Sequence, residues 1–144
     1  MAEDTGNSGL LTVRLVSPDR LLLEATADAV ELPSTSGYLE TLYGAAPLLA
    51  ELGAGEVRLH GGTSDEQKFF VAWVFVEVLP ERVTILAEIA LRPEEIDKAA
   101  AANELEAGEK LWHEAGDDAA KYDYANATMR EAEEKLASAE GRSL

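Results

Sequence analysis

The stretch Gly37-Tyr38-Leu39-Glu40-Thr41-Leu42-Tyr43-Gly44-Ala45-Ala46-Pro47-Leu48-Leu49 decides how this chain is read. Glycine and proline punctuate it at fixed offsets from apolar pairs, and Gly55-Glu56-Val57-Arg58-Leu59 follows closely. Turn formers between short apolar runs mark strands joined by tight connections. Working outward, Leu11, Val13 and Leu15 alternate with Thr12 and Arg14, Val30 and Leu32 flank Glu31, and Val57 and Leu59 flank Arg58. That period of two predicts strands with one buried face. Ser17-Pro18-Asp19 reads as a turn, and His60-Gly61-Gly62-Thr63 as a hairpin turn whose glycines admit positive φ. Ser34-Thr35-Ser36-Gly37 reads as a strand-connecting turn rather than a phosphate cradle. Phe69 to Val78 is apolar on both faces, as in a strand buried between layers, and Leu79-Pro80-Glu81-Arg82 turns it back into Val83 to Ile89. Short strands at this spacing predict a β-sandwich over residues 1–90.

Near Leu91 the composition changes, and residues 93 to 139 are rich in Ala, Glu and Lys. Pro93 suits a first helical position, and Glu94, Glu95 and Asp97 suit the positive end of a helix dipole. Ile96, Ala99, Ala100, Asn103, Ala107 and Leu111 recur at three- and four-residue steps. Gly116-Asp117-Asp118 breaks the run; Tyr122, Ala125, Met129, Ala132, Leu136 and Ala139 then form a second stripe. The expectation for residues 91–144 is an antiparallel two-helix hairpin, which makes the whole chain α+β. Small residues on both stripes bury little area, so the hairpin is expected to be held weakly on its partner surface.

Composition excludes whole classes of function. The 144 residues carry a net charge of −16, which opposes nucleic-acid binding and anionic lipid surfaces. No apolar run is long enough to span a bilayer, and Met1 to Gly9 lacks the basic start and apolar core of a signal peptide. The expectation is a soluble protein made in the cytoplasm with no membrane insertion of its own. There is no cysteine, hence no disulfide or thiol chemistry.

No catalytic, cofactor or metal set can be assembled. His60 falls at the expected turn and His113 near a helix end, with no ligand spacing between them. Asp117-Asp118 lacks the alternate carboxylates and late Glu of a calcium loop. There is no phosphate-binding glycine loop, dinucleotide fingerprint or nucleophile elbow. Trp73 and Trp112 read as core or seam residues.

The motifs are more informative together. Val16-Ser17-Pro18 precedes a Leu-rich stretch, Leu21-Leu22-Leu23; Leu32-Pro33, Gly37, Gly44 and Ala46-Pro47-Leu48-Leu49 follow; Val76 to Ala87 reads as a Val-Glu-Val strand, a Pro turn and a Val-Thr-Ile-Leu-Ala strand. Ile96-Asp97 and Asp123-Tyr124-Ala125 open the helical elements. In this order the chain resembles the epsilon subunit of F-type ATP synthases from Leu11 to about Ala139. The resemblance implies two antiparallel sheets of about ten strands in all, then a helical hairpin. It implies a rotor part without catalysis, joining the gamma subunit to the c-ring as proton flow is coupled to ATP synthesis. The site would be peripheral, on the cytoplasmic face of a bacterial inner membrane.

The resemblance also assigns residues, and the chain departs from the family at several. The loop expected to touch the c-ring is Tyr38, Leu39, Leu42, Tyr43 and Ala45, with Tyr38 and Ala45 standing where the family carries an acidic or amide residue and a His. Contact there would be apolar rather than charged. Ala72-Trp73-Val74 replaces a usual Ser-Gly-Gly. Ala100, Ala107 and Leu111 stand at or near the arginines through which some members bind ATP, so no nucleotide cofactor is expected. Lys121, Arg130 and Lys135 are the cations that could meet the alpha/beta catalytic head. Fourteen acidic residues against seven basic ones from Leu91 onward make inhibition of hydrolysis weak or absent. The competing readings are a β-sandwich ligand-binding module with a helical dimerisation tail, and a designed scaffold on the epsilon template.

Overall fold

A computed structural model of the chain describes residues 9–62 and 67–141; the turn expected at Thr63 therefore lies partly outside the described residues. The chain divides into two compact units, Met1–Ala90 and Leu91–Leu144.

Eight strands build the first unit among the described residues: β1 (Leu11–Val16), β2 (Leu21–Ala27), β3 (Ala29–Ser34), β4 (Gly37–Leu42), β5 (Leu48–Leu52), β6 (Gly55–His60), β7 (Gln67–Leu79) and β8 (Arg82–Leu91). They hydrogen-bond in the order β2-β1-β8-β7-β6-β3-β4, with β5 also on β7. The alternating residues of the sequence do face one core. Leu11, Val13 and Leu15 of β1, Val83 and Ile85 of β8, Val30 and Leu32 of β3, and Val57 of β6 are all fully buried there.

The strand count among the described residues is lower than the expected ten, and part of the difference is that β7 serves both layers. Its first half pairs with β6 (Gly55 with Val71) and its second half with β5 (Leu52 with Val74), both antiparallel. The layers are also not wholly antiparallel, since β1 runs parallel to β8. A parallel pair requires a crossover, and here all of β2 to β7 intervenes.

The switch between layers falls at Trp73, whose φ of 59° is the only left-handed value on a non-glycine among the described residues. For a bulky side chain this backbone region is a genuine outlier and costs about 1–3 kcal/mol. Past Trp73, Val74, Val76 and Val78 point into the core while Phe75 and Glu77 point out. β7 is thus two-sided only in its first half, a correction to the fully buried strand expected from its apolar run.

The second unit starts with a 3-10 turn at Pro93–Glu95, with Pro93 at its first position and the Glu95 carboxylate accepting from Arg92 N at 2.8 Å. Helix α1 (Lys98–Glu114) is capped by Asp97, which accepts from Ala100 N at 3.1 Å. Asp118 caps α2 (Ala119–Ala139) by accepting from Ala120 N and Lys121 N at 3.0 and 3.3 Å. The helices run antiparallel: Lys135 meets Glu104 near one end, and Trp112 meets Tyr122 edge-on near the other. The expected stripe holds on α2, where Ala125 and Ala132 are buried. On α1 it does not: Ala101, Gly108 and the capping Ala115 are buried, and Ala99, Ala100, Asn103 and Ala107 are exposed. At Gly108 a Cβ would lie 2.7 Å from Met129 Cγ and 3.3 Å from its backbone N, so glycine sets how closely the helices approach.

Candidate interaction surfaces

The loop between β4 and β5 forms an apolar tip. Gly44 takes φ 88° and donates to Pro80 O at 2.6 Å, while Ala45 N donates to Leu42 O at 3.1 Å. The first bond pins the loop against the β7–β8 turn, and the second closes the loop on itself. Leu42, Tyr43 and Leu48 are exposed, and Leu49 is 75% exposed. Of the five residues expected at this site, Leu42 and Tyr43 are presented at the tip. Leu39 and Ala45 pack against the core instead.

Tyr38 lies at the other end of β4, inside a polar cluster. Its hydroxyl accepts from Glu56 N at 3.0 Å, and the Arg58 guanidinium sits 4.7 Å from its ring centroid. Arg58 is 9% exposed, pairs through Nε with Glu56 at 3.0 Å and reaches Glu31 at 3.6 Å. His60 Nε2 meets the other Glu31 oxygen at 2.5 Å. His60 thus belongs to the end of a strand and an ion network, not to the turn expected for it. Buried charges persist when paired and hydrogen-bonded. The cluster pairs Arg58 through Nε and Nη1, while Arg58 Nη2 is buried with no hydrogen-bond partner among the described residues.

A second apolar surface crosses the outer face of one layer. Leu21 of β2 is opposite Val16 of β1, and Val16 is opposite Leu86 of β8. Phe75 and Trp73 of β7 line the same groove as Val16 and Leu86, with a volume of about 560 Å³. Trp73, Phe75 and Leu86 are 56%, 52% and 52% exposed, which corrects the core placement expected for Trp73. Exposed apolar rows of this kind on a strand face mark interaction sites. Glu51 and Glu88 stand at the rim and form no ion pair among the described residues.

On the hairpin, Lys121 and Arg130 are exposed, and the Lys135 side chain is largely buried. Its ammonium holds Glu104 across the helix pair at 3.1 Å and Glu131 at 3.5 Å. Trp112, expected in the seam, is half-exposed beside Tyr122 and His113. No cluster of metal-ligating side chains occurs among the described residues.

Residues 10–93 match the family model for the ATP synthase delta/epsilon chain β-sandwich domain. The ATP synthase epsilon chain 2 of Ralstonia nicotianae is 39% identical over 124 residues, covering 86% of this chain and 87% of that protein. The chain belongs to the ATP synthase epsilon family. The epsilon chain of Koribacter versatilis is 48% identical over 89 residues, covering 60% of this chain and 61% of that protein. Among solved structures, a chain of the Euglena gracilis mitochondrial ATP synthase, in an assembly described as OSCP/F1/c-ring, superposes with a TM-score of 0.72 at 19% identity, covering 85% of this chain and 77% of that one. A chain of the Tetrahymena thermophila central stalk and c-ring gives 0.64 at 15% identity over 90% of this chain and 96% of that one. At such identity these two show the fold alone.

Reading the sequence missed Leu48 and Leu49 of the tip, and Leu21, Trp73, Phe75 and Leu86 of the strand face, as candidates for contact. The Leu48-Leu49 pair was visible as part of the epsilon motif, but that both are exposed, Leu49 the more so, depends on register and on their place at the loop. Leu49 is opposite Glu77, an outward residue, and so shares its face.

Proposed function

We propose that this epsilon-family chain is a non-catalytic central-stalk subunit of an F-type ATP synthase, joining the gamma subunit to the c-ring. It acts by contact, and contributes to coupling ion flow to ATP synthesis. The observation that carries this reading is the apolar tip of Leu42, Tyr43, Leu48 and Leu49, held on a rigid strand body by the Gly44–Pro80 bond. A rotor part needs a stiff body and exposed contact residues, and the first unit supplies both. We assign the tip to the c-ring and the outer strand face, from Leu21 to Trp73, to the gamma subunit. Tyr38 and Leu39 support the strand body behind those contacts.

The placement that follows is peripheral, at the cytoplasmic face of a bacterial inner membrane, inside the complex. The bacterial origin of both relatives supports it, and no described helix is long and apolar enough to cross a membrane. Toward the alpha/beta head the hairpin offers only Lys121 and Arg130 of the three expected cations, which supports weak or absent inhibition. The test is capture of the full chain by the gamma subunit and by detergent-solubilised c-ring from the same synthase. Retention by both is expected; retention by neither would overturn the proposal.

A further inference from the structure

Trp73 combines two costs that a merely structural residue would not carry together. Its backbone takes φ 59°, a region suited to glycine, and the residue is 56% exposed rather than buried in the core. Strain of this sort persists where the surroundings over-determine it, and it concentrates at functional positions. The conformation turns the side chain toward the groove that Phe75, Leu86 and Val16 line. Large aromatics presented at an apolar groove in this way are the usual anchors of protein interfaces.

We infer that Trp73 is the anchor by which this chain selects its own gamma subunit, its indole entering an apolar pocket that gamma flanks with Lys or Arg. The inference rests on the central-stalk reading above and goes beyond it by naming the residue and the chemistry of the facing surface. Three observations choose this occupant. Glu51 and Glu88 at the rim lack cationic partners among the described residues, so the complementary surface is basic. A second copy of this chain brings the same acidic rim and a net charge of −16, so self-association through this face meets repulsion. The groove face is also continuous with the tip, because Glu51 and Leu49 leave β5 on the same side, next to Phe75 and Glu77. The occupant is therefore a subunit that stands beside the chain on the ring.

The experiment measures the affinity of the full chain for the gamma subunit of the same synthase, with thermal melting of each variant in parallel. Trp73→Gly and Trp73→Asn both suit a left-handed backbone. Each is expected to weaken gamma binding about 30-fold or more, with the melting temperature unchanged or raised. Glu51→Lys combined with Glu88→Lys is expected to weaken binding about tenfold at low salt, with the difference shrinking as salt rises. Binding within threefold of wild type for both Trp73 variants would overturn the inference. So would a marked fall in melting temperature in both, which would make Trp73 structural, or a wild-type dimer that either variant dissolves. A wild-type chain that does not bind gamma at all would instead remove the central-stalk reading.

Discussion

The two units bury different things. The strand body packs Leu11, Leu15, Leu32, Ile85 and a set of valines to full burial, each contributing about 1.5–3 kcal/mol. The hairpin packs Ala101, Gly108, Ala115, Ala125 and Ala132, which bring backbones close but carry few methyl groups. Stability in the first comes from apolar area. In the second it comes from close approach, end caps and one inter-helix ion pair. The difference teaches that the same chain holds a body suited to transmitting force and a pair of helices whose order rests on small terms.

That contrast can be broken most easily in the body. Leu32→Ala removes a fully buried side chain from the shared core and is expected to cost about 2–5 kcal/mol in denaturant unfolding. A loss below 1 kcal/mol would show that the core is not what stabilises the strand unit. Next in size is Gly108→Val, which puts a branched side chain where Met129 sits. It is expected to cost about 1–3 kcal/mol, read as faster amide exchange across residues 98–139 with the strand amides unchanged. Elsewhere in a helix, replacing glycine would help, so an increase in hairpin protection would contradict the close-approach account.

How far the sequence foretold this contrast depended on side-chain size. In β1 the alternation of Leu and Val with Thr12 and Arg14 fixed the core face, because a slip of one residue would expose every apolar group. In β6 the alternation separated the apolar core from the buried Glu56–Arg58 pair instead. β7 was legible as a strand but not as a strand of two layers. The turn at Trp73 is a backbone event on a residue that ordinarily avoids it; in this chain only the departure from the family's Ser-Gly-Gly at Ala72-Trp73-Val74 pointed to that place. In α1, alanines occur on every face, so periodicity could not choose among them. Gly108 chose, and its role depends on Met129 of the other helix. The c-ring set was read from motif positions along one strand, and strand geometry then sent Tyr38 to one end and Tyr43 to the other.

Smaller effects sharpen the picture. Asp118→Ala removes the acceptor for two amides at the start of α2 and is expected to cost the hairpin about 1 kcal/mol, measured by exchange of the α2 amides. Lys135→Met breaks the bridge to Glu104 while keeping most of the packed stem, and is expected to change hairpin stability by about 0.2–1 kcal/mol. At the lower limit, Lys121→Glu with Arg130→Glu is expected to leave ATP hydrolysis by the reconstituted head unchanged. A severalfold rise would show that the hairpin restrains the enzyme after all.

The central claim is that this chain works by contact through its strand body. It is tested most directly by adding the full chain, or the triple variant Leu42→Glu, Tyr43→Glu, Leu49→Glu, to vesicles bearing its cognate synthase depleted of epsilon. Wild type is expected to restore ATP synthesis driven by an ion gradient, and the triple variant, with its melting temperature unchanged, to restore less than a tenth as much. Equal restoration by both would contradict the account.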